Sequence, residues 1–310
     1  MTVLILGSSD DEHAVHIHKH LCQNGADAVQ LDCSWFPSRM TITFDPKDGD
    51  GEIAIAGAAP IAFNAISSVF WRNYDGVGGA KLPNADQNYI AENDSRSLFE
   101  SLLIWLPARW VNSWRAVQLH QTKPIQLAMV AQLGIPIPRS IISNAAGPLK
   151  DFAQRNPNLI FKPVQGGAHA RRLTAAELQP ENLENLRLAP VTVQDEIPGT
   201  NIRAFVAGDQ VLACEIATSA IDFRDDASPD ILPHDLSAEQ KETCRKIARA
   251  LGLVWTGIDF RLAPDGTYVF LEANPSPMFK GFEKYTGLPL TEALSSLLLG
   301  EPPYCPSDRN

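Results

Sequence analysis

Cysteine is sparse in this chain: Cys22, Cys33, Cys214, Cys244 and Cys305 are odd in number and form no C-x-x-C pair. That spacing argues against both a disulfide framework and a zinc ribbon. Basic residues are outnumbered, 26 Lys and Arg against 36 Asp and Glu, for a formal charge of −10. A surface of that sign repels phosphate backbones, so broad nucleic-acid binding is disfavoured, while a local cationic pocket for one nucleotide stays compatible. The apolar stretch 54–66 is too short to span a bilayer, and no membrane partner is expected. Met1–Gly7 is apolar but lacks a basic flank and runs straight into Ser8-Ser9-Asp10-Asp11-Glu12, which reads as a first buried strand and not as a signal peptide. The cytoplasm is therefore the expected compartment. Neither G-x-x-x-x-G-K-S/T nor G-x-G-x-x-G occurs, and no internal repeat or low-complexity tract interrupts the chain.

What is present is an ordinary globular composition, 45% hydrophobic and 20% charged, over 310 residues, enough for two or three packed units. Apolar periodicity predicts a strand at 3–6, a helix from Asp11 to Asn24 stopped by Gly25, and a strand at 28–31. Asp48-Gly49-Asp50-Gly51 marks a hairpin between 40–44 and 52–56. A strand at 68–71 and a helix over 93–105 follow, and the composition breaks between 106 and 121. Beyond it the pattern predicts a helix at 125–133, a strand at 138–142, a helix near 145–155 and a strand at 159–164. A strand-rich stretch follows at 191–194, 202–207 and 210–218. A helix at 238–251, paired strands at 255–262 and 267–271, and a closing helix at 290–299 complete the reading.

Three features carry chemistry. Asp259 and Glu272 lie on strands joined by the Asp265-Gly266 turn, and alternation places Glu272 and Asn274 on one face. Two carboxylates and an amide oxygen form a hard oxygen set suited to Mg²⁺ held with substrate phosphates. The same spacing also fits a solvated hairpin that happens to carry acids. Lys162 sits inside the apolar run Leu159-Ile160-Phe161, where an ammonium is costly without an anion. It precedes Gly166-Gly167, a segment able to bring N–H groups to a phosphate. Lys123 opens a helix, where a phosphate meets an ammonium and a helix N-terminus. Both lysines also fit a stem lying along apolar surface with its head in water. The third feature is Val193-Gln194-Asp195-Glu196-Ile197, a strand end whose backbone can read an adenine edge. Asn201 and Arg203 follow on one face of the next strand, where Arg203 can clamp a phosphate or an acyl phosphate. By itself this stretch fits an edge hairpin equally well.

In this order, with Ser67–Arg72, Ile221-Asp222-Phe223-Arg224 and Gly287-Leu288-Pro289 beside them, the motifs resemble the ATP-grasp fold. More narrowly, they resemble the RimK-like peptide ligases that build ester and amide cross-links in microviridins and related graspetides. The resemblance implies an α/β (α+β) ATP-grasp fold with an N-terminal pre-ATP-grasp α/β domain at 1–115, a central subdomain at 116–192 and a C-terminal subdomain at 193–310. It implies ATP and Mg²⁺ as cofactors. Lys123, Lys162, Gly166 and Gly167 would serve the phosphates, Gln194, Asp195, Glu196 and Ile197 the adenine, and Asn201 the nucleotide. Asp259, Glu272 and Asn274 would hold Mg²⁺, while Arg203 and Arg224 would face the reacting carboxylate. The implied activity is carboxylate–amine or carboxylate–hydroxyl ligation on a precursor peptide, by a homodimer. A RimK-type ligase of amino acids or small metabolites, and a non-catalytic nucleotide-binding regulator, are the alternatives.

Other features have plainer readings. His13, His16 and His20 share one helix face, read as solvated rather than as a metal site. Trp105, Trp110 and Trp114 are expected to pack between domains. The segment 221–236, with Asp225, Asp226 and Asp230, is expected to be a loop over the active site that orders on substrate binding.

Overall fold

The computed structural model describes residues 1–79, 82–218, 226 and 229–300. Strand β1 (Thr2–Leu6) is buried along its whole length. It lies between β2 (Ala28–Leu31) and β6 (Ile66–Trp71) in a parallel sheet completed by β7 (Arg109–Val111). Both faces of such a sheet are covered, which is why Val3-Leu4-Ile5-Leu6 is apolar without a break. Val3 and Ile5 enter one core cluster, and Leu4 and Leu6 the opposite one.

Helix α1 (Glu12–Gln23) begins where the Asp11 carboxylate accepts from the His13 and Ala14 N–H groups. A hairpin of β3 (Met40–Asp45) and β4 (Asp50–Ile55), extended by the short β5 (Ile61–Ala62), covers the side of the sheet that carries Leu4 and Leu6. Helix α2 (Ala85–Trp105) starts at Ala85 rather than at residue 93, because Asn84 caps it and its first turns, Tyr89 and Ile90 included, are exposed and bury no apolar face to read. Trp110 and Trp114 do not pack between domains: they stack around Trp71, at 6.1 and 5.5 Å between ring centroids, in the core of the N-terminal unit. Trp105 is half exposed and donates to the Gly49 carbonyl.

Helices α3 (Trp114–His120) and α4 (Lys123–Gln132) lead into a small antiparallel sheet. It contains β8 (Ser140–Ser143), β9 (Leu159–Pro163), β10 (Arg171–Arg172) and β11 (Val191–Asp195), in the order β10-β9-β11-β8. Helices α5 (Ala146–Arg155) and α6 (Pro180–Leu183) supply Leu149 and Leu183 to its core. The larger antiparallel sheet has the order β14-β13-β12-β15-β16, from β12 (Thr200–Ala207), β13 (Gln210–Ala217), β14 (Asp230–Pro233), β15 (Trp255–Leu262) and β16 (Tyr268–Asn274). Part of the segment expected to be a loop is therefore strand: β14 pairs with β13 from Asp230 to Pro233.

One face of this sheet packs on α4 and on α7 (Ala238–Ala250) through Ile202, Ala204, Val206, Ile258 and Phe270. The lower part of the other face packs on α8 (Lys280–Thr286), α9 (Leu290–Leu299) and the N-terminal sheet. That packing overturns the solvated reading of the α1 histidines. His13 is only 3% exposed and lies 4.9 Å from the Phe279 ring, and His16 bonds Thr291 Oγ1 at 2.9 Å. Helical periodicity shows which residues share a face, but not that a distant helix covers it.

Candidate active site

The uncovered part of the large sheet carries a row of polar side chains set by register. Arg203 on β12 pairs with Asp259 on β15, and Asp259 pairs with Glu272 on β16. Glu272 reaches this face because the register shifts between Asp259 and Phe260, leaving Leu271 as an extra residue. The bulge keeps Phe270 in the core opposite Phe260 while turning Glu272, two residues on, to the other face. Without it, alternation would bury Glu272 or expose Phe270.

Arg203 forks onto Asp259, with Nε to Oδ1 and Nη2 to Oδ2 both at 2.7 Å. Burial opposes the Arg203 charge, yet Asp259 raises its pKa above the ordinary value. Burial also pushes Asp259 above the usual carboxylate range; the guanidinium opposes this, while the neighbouring Glu272 charge adds to it. Lys123, at the start of α4, extends to Glu272, with Nζ 2.5 Å from Oε2. Against burial, the Lys123 ammonium and then Lys162 hold Glu272 below its usual value. Lys162 comes from β9 in the small sheet, in register with Thr192, so the two sheets close on one point.

The glycine segment lies beside them. Gly166 and Gly167 have φ of 130° and 94°, and a Cβ built on Gly166 would stand 3.8 Å from Lys123 Nζ. Only glycine adopts two such angles in succession without strain. Gln165 Nε2 donates to Gln121 Oε1, tying this segment to the turn before Lys123.

At the hinge between the sheets, Gln194 is buried in β11 between Ile160 and Ser140. The side chains of Asp195 and Glu196 are occupied by Arg139 and Arg172 at 2.6 and 2.8 Å. Much of the hinge backbone is engaged as well, the Asp195 N–H donating to the Arg139 carbonyl at 3.0 Å and the Glu196 N–H to the Asn158 carbonyl at 2.9 Å. The Ile197 carbonyl accepts from Arg261 Nε at 3.1 Å, and Arg261 Nη1 donates to Asn201 Oδ1 at 2.9 Å. The buried Asn201 Nδ2 has no partner among the described residues. Arg224 lies outside the described residues.

Several supporting residues had no assigned role in the sequence reading. Gln126, buried on α4, grips the Ala273 peptide by both ends, accepting from its N–H at 2.8 Å and donating to its C=O at 2.9 Å. His120 Nδ1 lies 3.0 Å from the same carbonyl, and burial, with Lys123 nearby, lowers its pKa. β16 is the edge of its sheet, so these side chains act as its missing neighbour between Glu272 and Asn274. Arg261 was the one within reach of pattern reading, since it stands two residues from Asp259 on the same strand.

The site fits a cation held with phosphates. Among the described residues no cluster of three His, Cys, Asp or Glu side chains forms a self-sufficient metal cage. Two acids and one amide oxygen leave positions for phosphate oxygens, as Mg²⁺ favours. Two sheets that meet where Lys162 of the small one and the Asp259–Glu272 pair of the large one converge, with Lys123 and the Gly166-Gly167 segment beside them, define an ATP-grasp architecture. The RimK-like ATP-grasp domain model matches residues 121–298, and the chain belongs to that ligase family. It is 30% identical in sequence to the ATP-grasp ligase PsnB, solved with a precursor variant, Mg and ADP (TM-score 0.81, 96% of this chain, 97% of that one). It is 25% identical to the macrocyclase MdnC of Microcystis aeruginosa MRC, solved with the precursor peptide MdnA (TM-score 0.83, 97% and 100%). A probable alpha-L-glutamate ligase of Shewanella loihica is 28% identical over 190 residues, covering 57% of this chain and 62% of that protein. The match thus spans somewhat less than two thirds of that relative's length.

Proposed function

We propose that this protein joins a carboxylate to an amine or hydroxyl at the expense of ATP, and that the substrate is a side chain of a precursor peptide. The observation that supports it best is the row Arg203, Asp259, Glu272 with Lys123 and Lys162 converging on it. Two carboxylates facing three cations leave the site one positive charge in excess, which favours a polyanion. Likeness over nearly the whole chain to two ligases solved with precursor peptides favours the peptide substrate.

In this reading Lys123, Lys162 and the Gly166-Gly167 segment hold the phosphates, and the backbone from Gln194 to Ile197 holds the base. Asp259, Glu272 and Asn274 hold Mg²⁺, which supplies charge neutralisation on the phosphates. The substrate carboxylate displaces ADP from the γ-phosphorus, giving an acyl phosphate. Arg203 stabilises the charge on the transferring group, and Arg224 faces the carboxylate. The amine or hydroxyl then attacks the acyl carbon, loses its proton and expels phosphate. The chain's residues act by position and charge, with no covalent intermediate on the protein. Boundaries at 115/116 and 192/193, a homodimer and a cytoplasmic setting complete the proposal. No helix among the described residues is long and apolar enough to cross a membrane.

A second reading, ligation of glutamate or another small amino acid, is favoured by the Shewanella loihica relative. ADP release with purified protein separates the two. Release that requires an acidic peptide supports the peptide ligase, and release with free glutamate alone supports the other. Glu272→Ala should abolish turnover in a protein that stays folded; wild-type rates in that variant would defeat the assignment.

A further inference from the structure

We propose that Ser276 and Arg72 are positioning residues that set the metal affinity of the site, by holding Asn274 with its amide oxygen turned to the cation. The inference rests on the Mg²⁺ site proposed above.

Asn274 ends β16, and its Oδ1 accepts the Ser276 N–H at 2.9 Å. An amide oxygen has two lone pairs and the amide nitrogen has none to give. The N–H therefore decides which end of the amide stands there, and leaves one lone pair of Oδ1 for a cation. The Asn274 carbonyl is fixed as well, accepting from Thr256 Oγ1 at 2.8 Å.

Ser276 is in turn gripped by Arg72, which follows β6 in the N-terminal sheet. Arg72 Nη1 donates to the Ser276 carbonyl at 2.7 Å and to Ser276 Oγ at 2.8 Å. Ser276 Oγ donates back to the Arg72 carbonyl at 2.6 Å. The guanidinium is aimed by Asp11, whose two oxygens accept from Nε at 2.9 and 3.1 Å. Asp11 also caps α1, which roots it in the helix. Arg72 and Asp11 are only 12% and 16% exposed, so water competes little for these bonds. A continuous path of hydrogen bonds thus runs from the N-terminus of α1 through Arg72 and Ser276 to Asn274. By this path, beside the Asn112 bond to the Pro275 carbonyl, the N-terminal unit reaches the cation site.

The test is calorimetric titration of ADP into the full chain at a series of Mg²⁺ concentrations, beside thermal unfolding. Ser276→Ala keeps the backbone N–H but removes both bonds of the hydroxyl. The Mg²⁺ concentration giving half-maximal enhancement of ADP binding should rise about tenfold, as loss of a metal ligand's partner does. ADP binding without Mg²⁺ should stay as in wild type, which a general loss of structure would not allow. Arg72→Lys, which loses the planar fork, should shift the same Mg²⁺ dependence, and Ser276→Thr, which keeps a hydroxyl, should restore it. An unshifted Mg²⁺ dependence in folded Ser276→Ala, with wild type responding to Mg²⁺, overturns this inference alone. Wild-type ADP binding that ignores Mg²⁺ overturns the metal assignment and this inference with it.

Discussion

Replacing Arg203 by methionine removes one charge of a buried pair and leaves the other. Arg203 and Asp259 are 11% and 16% exposed and share two bonds of 2.7 Å. Breaking such a pair from one side costs about 3–5 kcal/mol, because the remaining charge is stranded. Asp259 has an escape, since it can take up a proton. For an acid of ordinary pKa near 3.9 this costs about 4 kcal/mol at pH 7, at 1.36 kcal/mol per unit, which caps the loss. The sign follows from linkage. With its folded pKa raised further, Asp259 binds a proton in the folded variant that the unfolded chain releases above pH ~3.9. Burial already raises the Asp259 pKa in wild type, so the two proteins diverge between that value and the higher one of the variant, and across that window the variant loses stability relative to wild type as pH rises. We expect a deficit of about 3–4 kcal/mol at pH 7 that shrinks as the pH falls through that window. Urea unfolding of both proteins across this range measures it, and adding Asp259→Asn should recover most of the loss. A deficit below ~1 kcal/mol at pH 7, or one that grows as the pH is lowered, would refute the reasoning.

Asn112 is fully buried and binds four backbone groups, donating to the Trp255 and Pro275 carbonyls and accepting from the Val254 and Trp255 N–H groups. Asn112→Ala should lose about 3–5 kcal/mol in urea unfolding, since it removes four hydrogen bonds at once from a fully buried site. Gly199, at the hinge, has φ of 120°, and a Cβ there would stand 1.9 Å from the Leu262 carbonyl oxygen. Gly199→Ala should unfold at markedly lower temperature and bind ADP more weakly; a variant matching wild type in both would show the hinge to be looser than described. Burial lowers the His13 pKa from 6.5 to about 4, with Arg72 adding to the shift and Asp11 opposing it. The unfolded chain then binds the extra proton, so His13 makes stability fall as pH drops from the unfolded value of 6.5 towards about 4. That contribution is at most on the order of 3 kcal/mol and is flat above the window. His13→Phe should have a shallower acid slope than wild type in thermal unfolding, and an equal slope would count against a buried neutral His13.

Much of the architecture could be read from the sequence because local pattern and tertiary environment agree. The unbroken apolar run at Val3-Leu4-Ile5-Leu6 belongs to a strand covered on both faces. The Asp265-Gly266 turn sets the β15–β16 pairing that places Asp259 beside Glu272. Order along the chain was enough to bring Lys123 and Lys162 to one site, since each stands at a recognisable break in an apolar pattern. What could not be read depends on partners far away in sequence. The bulge at Leu271, which separates Phe270 from Glu272, leaves no composition signal. Gln126, His120, Arg72 and Ser276 act through backbone atoms of other segments, where residue type says little about the partner. The burial of His13 under Phe279 and the exposed start of α2 were missed for the same reason: packing and capping overrode periodicity.

The most direct test of the central claim is calorimetric titration of ATP with Mg²⁺ into wild type and Lys162→Ala. Wild type should bind, and removing the ammonium from a folded protein should weaken binding sharply, by tenfold or more (at least about 1.4 kcal/mol). Equal affinity in the two proteins, or no binding by a folded wild type even with a candidate peptide present, would contradict the claim.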